Sequence, residues 1–287
     1  MRILITGGNG QLGNQWVNYL NKQGVEFISL PSSDLDITDH EDVRRVLNNL
    51  KPNHIINCAA YTNVDNAETE KEKAFAVNAY GVKNLADYCA SKGIKLVHFS
   101  TDYVFSGTEE DHVENPKGYT EHHPTNPVNV YGESKLAGEK AILESDCNYL
   151  IIRISWLCGK YGQNFVKTML RLASERDELS VVNDQYGCPT FAENVVKNTW
   201  ELSVQNISGI YHLSSLGKIT WFDFAKEIFT QSGSEVNLEP VDSSEFPTKA
   251  KRPAFSLLNT QKIANIPNIS LINWKEGLKN MLAELES

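Results

Sequence analysis

The sequence has few cysteines, and they form no pattern that would tie the chain together. Five cysteines are scattered over 287 residues, and no two of them make a C-x-x-C pair. An odd, dispersed set of thiols argues against a disulfide framework or a zinc site and fits a reducing compartment. The cysteines are Cys58, Cys89, Cys147, Cys158 and Cys188.

Long apolar runs, a surplus of basic charge and a secretory leader are also missing. No apolar run is long enough to cross a bilayer, and the net charge of −9 argues against binding nucleic acid or a membrane surface. The chain enters an apolar segment at residues 2–6 without the layout of a signal peptide. With 41% hydrophobic and 22% charged residues, we expect a soluble cytoplasmic protein without a nucleic-acid or membrane partner.

The beginning of the chain carries the pattern of a dinucleotide-binding turn. An apolar strand over 2–6 runs into a glycine turn and then into a helical stretch that continues to about 23. Such glycines let the backbone approach a pyrophosphate closely, and the helix N-terminus offers free N–H groups to the anion. The spacing is G-x-x-G-x-x-G, from Gly7, Gly10 and Gly13, and an ordinary strand–helix turn is the alternative.

Strands and helices alternate through the first half of the chain. This alternation predicts an α/β fold with a Rossmann-like, doubly wound parallel sheet. The polar stretch over 106–129 contains three prolines and is predicted to be a long loop. The further strands are expected over 25–30, 54–60, 94–100 and 149–154, and the further helices over 39–50, capped by Thr38 or Asp39, 64–92 and 131–144.

Beyond Gly159 the alternation becomes irregular. We therefore predict a nucleotide-binding domain over 1–158 and a smaller substrate-binding lobe over 159–287. Elements within about 187–215 are expected to return to the first domain.

Small and hydroxyl side chains follow two of the buried strands. Ala59 and Ala60 end one strand, and Thr101 and Asp102 follow the next. Open parallel sheets bind ligands at the carboxyl ends of their strands, so these residues mark a candidate site. Tight helix packing over the alanines explains that pair equally well.

Tyr131 and Lys135 are four residues apart on a predicted helix, which places both side chains on one face. A nearby ammonium favours the phenolate of a tyrosine and makes its proton easier to give up. The pair therefore suits a general acid for a carbonyl or alcohol. By itself the spacing is common on solvated helices, so a cofactor and a further donor have to support it.

Taken together, the glycine turn, Thr101 and the Tyr131-x-x-x-Lys135 pattern resemble the extended short-chain dehydrogenase/reductase superfamily. Longer strings resemble one family within it, the dTDP-4-dehydrorhamnose reductases, and the resemblance runs in order over nearly the whole chain. The strings are GQLG at 10–13, DLDIT at 34–38, AAYTNVD at 59–65, STDYVF at 100–105, YGESKLAGE at 131–139, SWL at 155–157 and NFVKTM at 164–169.

The resemblance implies a reaction and roles for its residues. A nicotinamide hydride would reduce the C4 keto group of dTDP-4-dehydro-L-rhamnose, the last step in making dTDP-L-rhamnose. Tyr131 would protonate the C4 oxygen, and Lys135 would hold the nicotinamide ribose and lower the pKa of Tyr131. Thr101 would hydrogen-bond the same oxygen, and two positioned donors suit the charge that develops there.

The resemblance also implies a set of binding residues. The alternative to substrate binding for Trp156 and Tyr103 is a place in the aromatic core. The alternative for Arg252 is a surface ion pair, but a diphosphate needs a cation. The expected cofactor contacts are Gly7, Gly10, Gln11, Leu12, Gly13, Asp36, Ile37, Ala59, Ala60, Tyr61, Thr62, Tyr131 and Lys135. The expected substrate contacts are Thr101, Asp102, Tyr131 and Trp156, to which we add Val64, Tyr103 and Arg252.

Two departures from the family pattern limit these expectations. Some relatives use a glutamate for magnesium where this chain has Gln15, a poorer ligand for a hard cation, so magnesium is not predicted although Glu193 is kept. Pro31 and Ser32 follow the second strand without a charge, so NADPH is favoured by resemblance alone and NADH stays an alternative. A homodimer is the expected assembly if the chain associates.

Two other functions compete with the reductase. One is an epimerase or 4,6-dehydratase on the same fold, but dehydratases carry an acid after the Thr-Asp pair, where this chain has Tyr103. The other is a non-catalytic role, since a relative of this family serves as a regulatory subunit of methionine adenosyltransferase. The intact Thr101, Tyr131 and Lys135 favour catalysis.

Overall fold

Across residues 2–286, which a computed structural model describes, six parallel strands form the central sheet. The remaining strands are short and pair in twos outside this sheet. The strands are β1 (Ile3–Thr6), β2 (Phe27–Leu30), β3 (His54–Asn57), β4 (Lys95–Thr101), β5 (Asn148–Ile154), β6 (Leu157–Cys158), β7 (Glu178–Val182), β8 (Tyr186–Gly187), β9 (Thr190–Phe191), β10 (Gly209–His212), β11 (Ile219–Thr220) and β12 (Asn237–Val241).

Helices separate most of these strands. A π-helical turn over Ala76–Gly81 and 3₁₀ turns over Asp102–Val104 and Ser243–Glu245 accompany them. The α-helices are α1 (Gln11–Lys22), α2 (His40–Leu50), α3 (Val64–Ala67), α4 (Lys71–Phe75), α5 (Val82–Lys92), α6 (Glu109–Glu114), α7 (Val130–Glu144), α8 (Phe165–Glu175), α9 (Ala192–Val204), α10 (Trp221–Ser232), α11 (Gln261–Ala264) and α12 (Trp274–Glu286).

The order of strands across the central sheet is β2-β1-β3-β4-β5-β10, and every adjacent pair is parallel. The chain leaves β1 for β2 on one side and then returns to β3 on the other. This reversal makes the carboxyl ends of β1 and β3 the switch point where such sheets bind ligands. The predicted Rossmann-like, doubly wound sheet is confirmed.

Apolar side chains cover both faces of the sheet because successive residues of a strand point to opposite sides. Ile55 and Leu96 belong to the cluster on one face, and Ile56 and Val97 to the cluster on the other. A further apolar cluster lies largely in the C-terminal part and contains the buried Phe224. Within residues 2–286, no helix is both long and apolar enough to span a membrane.

The predicted cap of the second helix is confirmed at Asp39. Its side chain accepts hydrogen bonds from the backbone N–H groups of Glu41 and Asp42, which have no partner inside the helix. The helix ends at Leu50, and the following residue, Lys51, adopts a left-handed conformation with φ of 48°. Pro52 then prevents the helix from continuing.

The helical region predicted over 64–92 is present but is divided into several helices. The chain breaks between α3 and α4, and the π-helical turn then separates α4 from α5. This turn lies where α7 approaches so closely that a Cβ on Gly138 would be 2.1 Å from the carbonyl oxygen of Asn78. A tertiary contact therefore accompanies the irregularity, and local helix propensity does not report it.

The loop predicted over 106–129 also contains a short helix. α6 begins at a capping box in which the Thr108 hydroxyl accepts from the backbone N–H of Asp111, and the Asp111 carboxylate accepts from the backbone N–H of Thr108. The rest of this stretch is tied to the C-terminal part by the backbone hydrogen bond from Tyr119 to Leu257, at 2.9 Å.

Candidate active site

A cavity of about 410 Å³ opens at the carboxyl ends of the central strands. Its walls come from the turn after β1, the ends of β3, β4 and β5, and the first turns of α7. It brings together most of the side chains that the sequence indicated. These are Gly10, Gln11, Leu12, Ala59, Ala60, Thr62, Val64, Thr101, Asp102, Tyr103, Tyr131, Lys135 and Trp156.

Some expected cofactor contacts do not line this cavity. The carboxylate of Asp36 accepts the backbone N–H of Thr38 at 2.9 Å, and the Tyr61 hydroxyl donates to Glu70 at 2.9 Å. Ile37 is buried against Gly81. Their assignment as cofactor contacts stays a prediction.

The glycine turn after β1 is packed too closely to accept side chains. Gly7 has a φ of 64°, and a Cβ there would lie 2.6 Å from the backbone nitrogen of Ala59. A Cβ on Gly13 would lie 2.4 Å from the carbonyl oxygen of Gly7. No side chain among residues 2–286 caps the start of α1, and its first residues, Gln11 and Leu12, line the cavity, so their backbone N–H groups are available as anion donors. The turn therefore fits a pyrophosphate.

Helix α7 brings Tyr131 into the cavity beside other polar groups. Its N-terminus is capped by Asn129, whose side chain accepts from the backbone N–H of Gly132 at 2.8 Å. The Tyr131 ring packs edge-on against Tyr103, with centroids 5.5 Å apart. Burial, followed by the nearby Asp102 carboxylate, raises the pKa of Tyr131, and an interaction with Thr101 acts in the opposite direction.

Lys135 lies one turn further along α7 and is also buried. Its Nζ donates to the carbonyl oxygen of Phe99 at 2.6 Å and lies 3.3 Å from Nε2 of His98. Burial lowers the pKa of Lys135 to about 8. The pKa of Tyr131 is therefore raised overall, although the resemblance implies that Lys135 lowers it, because removing the phenolate from water outweighs the influences that act in the opposite direction.

Asp102 presents a free carboxyl oxygen inside the site. Its Oδ1 accepts the Thr101 hydroxyl at 2.8 Å, whereas its Oδ2 has no hydrogen-bond partner among the described residues. Burial raises the pKa of Asp102 to about 7. An unpartnered buried oxygen is costly unless a ligand satisfies it, so this atom is suited to a substrate hydroxyl.

Trp156 and Arg252, two of the predicted substrate contacts, line cavities but also have partners within the protein. Trp156 lines the cavity, but its ring also stacks on Trp221 with centroids 3.6 Å apart, and its φ is 46°. Arg252 forms an ion pair with Asp65 at 2.6 Å and donates to the Tyr103 hydroxyl at 3.2 Å. Arg252 also lines a second cavity of about 780 Å³, which shares Tyr103 with the first.

Sequence reasoning missed several residues that line the first cavity. Most of them sit at the carboxyl ends of strands, so a stricter use of the strand-end rule would have included them. Gln163 comes from the stretch after β6 and carries no motif. The missed residues are Asn57, Cys58, Phe99, Ser100, Ile154, Ser155, Leu157 and Gln163.

The position of Gln15 bears on the metal question. The side chain is buried, and its Oε1 has no hydrogen-bond partner within residues 2–286. In the same range, no group of three histidine, cysteine, aspartate or glutamate side chains is placed to hold a metal ion.

A doubly wound parallel sheet with a glycine turn at its switch point, and with Thr101, Tyr131 and Lys135 in one cavity at its carboxyl edge, defines the extended short-chain dehydrogenase/reductase class. A family model described as the RmlD substrate binding domain matches residues 1–287, and the chain belongs to this family. The resemblance seen in the sequence motifs is confirmed.

Known proteins are similar over the full length of the chain. A dTDP-4-dehydrorhamnose reductase of Sinorhizobium fredii is 39% identical, covering 98% of this chain and 97% of that protein. The crystal structure of the Bacillus anthracis dTDP-4-dehydrorhamnose reductase in complex with NADP is 42% identical, with a TM-score of 0.93 and 99% of each chain covered. A Clostridium acetobutylicum ortholog is 40% identical with a TM-score of 0.95, and all of both chains is covered.

Proposed function

We propose that this protein uses NADPH to reduce the C4 keto group of dTDP-4-dehydro-L-rhamnose, giving dTDP-L-rhamnose for nucleotide-sugar biosynthesis. The observation that carries the proposal is the meeting of Thr101, Tyr131 and Lys135 with the glycine turn in one cavity. Relatives named for this reaction cover 98% and 99% of the chain, which supports the substrate assignment.

The cofactor is held by backbone-rich surfaces at the switch point. Gly10, Gln11 and Leu12 begin α1 and would bind the pyrophosphate, while Ala59 and Ala60 leave room along the end of β3. When bound, the nicotinamide supplies the hydride. The Bacillus anthracis relative holds NADP, which supports NADPH over NADH for this chain.

Tyr131 acts as the general acid. Because burial raises its pKa, the phenol stays protonated through the neutral range, which is the state that a proton donor needs. The proton passes from the Tyr131 hydroxyl to the C4 oxygen as negative charge develops there. The Thr101 hydroxyl is the second donor to this oxygen and would turn from its present acceptor, Asp102.

The second cavity would take the nucleotide end of the substrate. It adjoins the first at Tyr103 and combines aromatic walls with cations. A base needs apolar surface and a diphosphate needs positive charge, so the lining suits both. The residues of this kind are Phe165, Trp221, Arg176, Lys251 and Arg252.

The division into a domain over 1–158 and a lobe over 159–287 is part of the same proposal. A largely C-terminal apolar cluster supports a separate lobe, and β10 in the central sheet supports a return of later elements to the first domain. A homodimer and a cytoplasmic location are proposed with it.

The test is a coupled measurement of cofactor oxidation and product. Purified protein is mixed with dTDP-4-dehydro-L-rhamnose and either NADPH or NADH, and the loss of reduced nicotinamide is followed while mass spectrometry detects dTDP-L-rhamnose. The C5 epimer of the substrate is assayed in parallel as the control for an epimerase, which would interconvert the two sugars without net oxidation of the cofactor. If no dTDP-4-keto-6-deoxyhexose causes oxidation of either cofactor, the reductase proposal fails and a non-catalytic role as a regulatory subunit is favoured.

A further inference from the structure

A row of buried polar side chains crosses the central sheet beneath the cavity. Thr6, Asn57 and His98 are in register on β1, β3 and β4, and all of them are buried. The Thr6 hydroxyl donates to Oδ1 of Asn57 at 2.6 Å, and Nδ2 of Asn57 lies 3.0 Å from Nδ1 of His98. The row ends at Lys135, whose Nζ is 3.3 Å from Nε2 of His98.

The backbone fixes the direction of the hydrogen bonds in this row. The backbone N–H of Ala59 donates to Asn57 at 3.2 Å, so the amide atom at that position has to be the acceptor Oδ1. The NH₂ group of Asn57 therefore faces His98. Because an amide NH₂ only donates, Nδ1 of His98 has to be the nitrogen without a proton.

The tautomer of His98 follows from this arrangement. Burial and the charge of Lys135 hold the pKa of His98 well below its ordinary value, so the ring is neutral and carries one proton. With Nδ1 bare, that proton sits on Nε2 and points at Nζ of Lys135. A neutral amine has a lone pair that accepts this N–H, whereas an ammonium has none.

We propose that His98, oriented by Asn57, is a positioning residue that presents an N–H donor to the Lys135 amine and favours its unprotonated form. The carbonyl of Phe99 takes a hydrogen from the amine at 2.6 Å, so the neutral form is satisfied on both sides. His98 thereby adjusts the proton affinity of a residue in the cavity without touching a ligand itself.

Other groups around Lys135 do not reverse this effect. Glu139 on the same helix and Cys58 after β3 both favour the ammonium, but burial outweighs them. Glu139 is also neutralised by Arg153 on β5, whose Nη2 lies 2.6 Å from the carboxylate. Burial raises the pKa of the Cys58 thiol, which keeps that group uncharged.

The first test reads the tautomer of His98 directly in the wild-type protein. The protein is labelled with ¹⁵N-histidine, and the ring shifts of His98 are assigned in the wild type through NOEs between the ring and the neighbouring Asn57 side chain, 3.0 Å away. The proposal requires a protonated Nε2 and a bare Nδ1 throughout the neutral range. A proton on Nδ1 would overturn it, because Asn57 would then have to turn its oxygen away from Ala59.

The second test measures the titration of Lys135 by NMR of ¹³C-lysine-labelled protein. Asn57→Leu leaves the imidazole in place but frees its tautomer, so Nε2 becomes an acceptor and the midpoint of Lys135 rises by about one pH unit. His98→Phe removes the donor and shifts the midpoint in the same direction. His54→Phe, at the other end of β3, is the control and leaves the midpoint unchanged.

Unchanged midpoints in both Asn57→Leu and His98→Phe would overturn the proposal, and the tautomer measurement decides it if either variant fails to fold. The inference rests on the proposed reductase activity only in its effect on turnover. If turnover requires the Lys135 ammonium, the upper limb of the kcat pH profile moves up together with the titration midpoint of Lys135. If the protein does not reduce the sugar, both NMR results still stand.

Discussion

Tyr131, Lys135 and Asp102 depart from their ordinary pKa values for a shared reason. Each is buried in the same cavity, and burial favours the neutral form of a phenol, an amine and a carboxyl. A site that keeps its acid protonated and brings the pKa values of its neighbours near the neutral range can respond to a charge that develops on a substrate oxygen. This distribution of protons is typical of a catalytic cavity rather than of a structural ion pair.

Replacing Tyr131 by phenylalanine should remove the proton donor without disturbing the cavity. We expect the Tyr131→Phe variant to lose about 10²- to 10⁴-fold in kcat, the usual contribution of a positioned general acid. Its Kd for NADPH should stay near that of the wild type, measured by fluorescence titration. Tyr103→Phe, which keeps the ring packed against Tyr131 and removes only its hydroxyl, is the control and should retain most of kcat. Near-normal turnover in Tyr131→Phe would refute the assignment of the acid.

Asp102 should make stability depend on pH in a defined direction. Its pKa is raised from 3.8 to about 7 in the folded state, so its contribution is fully present below pH 3.8 and is lost as the pH rises through 7. We expect Asp102→Asn to gain free energy of unfolding relative to the wild type over this window, by a few kcal/mol at most. Urea unfolding across the pH range measures the difference.

The control for this titration is Asp111→Asn. Burial raises the pKa of Asp111, but hydrogen bonds from Ser106 and Thr108 outweigh it and hold the pKa below the ordinary value. The Asp111 carboxylate should therefore stabilise the protein at neutral pH and lose that effect in acid. A difference between Asp102→Asn and wild type that stays flat with pH would contradict the raised pKa.

At the scale of single elements, the glycine turn and α1 act as one unit. Gly13 lies where the helix touches the turn, and the free N–H groups at its start depend on that contact. Most strands and helices follow from hydrophobic periodicity, which is local. The irregularities within the helical region over 64–92 do not, because the approach of Gly138 to Asn78 involves residues sixty positions apart.

Gly13→Ala should weaken cofactor binding because its Cβ would lie 2.4 Å from the carbonyl oxygen of Gly7. The helix start then has to move, and we expect the Kd for NADPH to rise at least about tenfold, or about 1.4 kcal/mol. Calorimetric titration measures it. Gly24→Ala is the control, since Gly24 has a φ of 65° but a Cβ added there would have no described heavy atom within 4 Å beyond its chain neighbours. It should lose about 1 kcal/mol of stability and no affinity. Equal losses of affinity in both variants would contradict the role of the turn.

At the scale of the whole molecule, the two cavities meet where distant parts of the chain converge. Asp65 on α3, Tyr103 after β4 and Arg252 near the C-terminus form one hydrogen-bonded set. This set lies between the reacting end of the first cavity and the nucleotide-sized second cavity. A substrate that fills both cavities would contact this hydrogen-bonded set where the cavities meet.

Arg252→Met should weaken binding of the substrate diphosphate and leave the rate of the chemical step largely unchanged. We expect KM for the nucleotide sugar to rise about tenfold or more, with a smaller change in kcat, because the lost charge acts on binding. Steady-state kinetics measure both constants. Lys249→Met removes an exposed charge nearby and is the control. If KM is unchanged and only stability falls, Arg252 serves its ion pair with Asp65 alone.

The sequence by itself determined the parallel sheet, the glycine turn and the Tyr131–Lys135 pair, because each is encoded over a few neighbouring residues. The proposed chemistry followed from those patterns together with the family that the longer motifs resemble. Only the tertiary structure decided which side chains are buried and what they contact. The pKa of Tyr131 rises where the sequence suggested a fall, and Arg252 meets Asp65 across 187 positions. The direction of the Asn57–His98–Lys135 row depends on one backbone N–H, that of Ala59. Desolvation and hydrogen-bond direction arise from packing between distant segments, and no local pattern carries them.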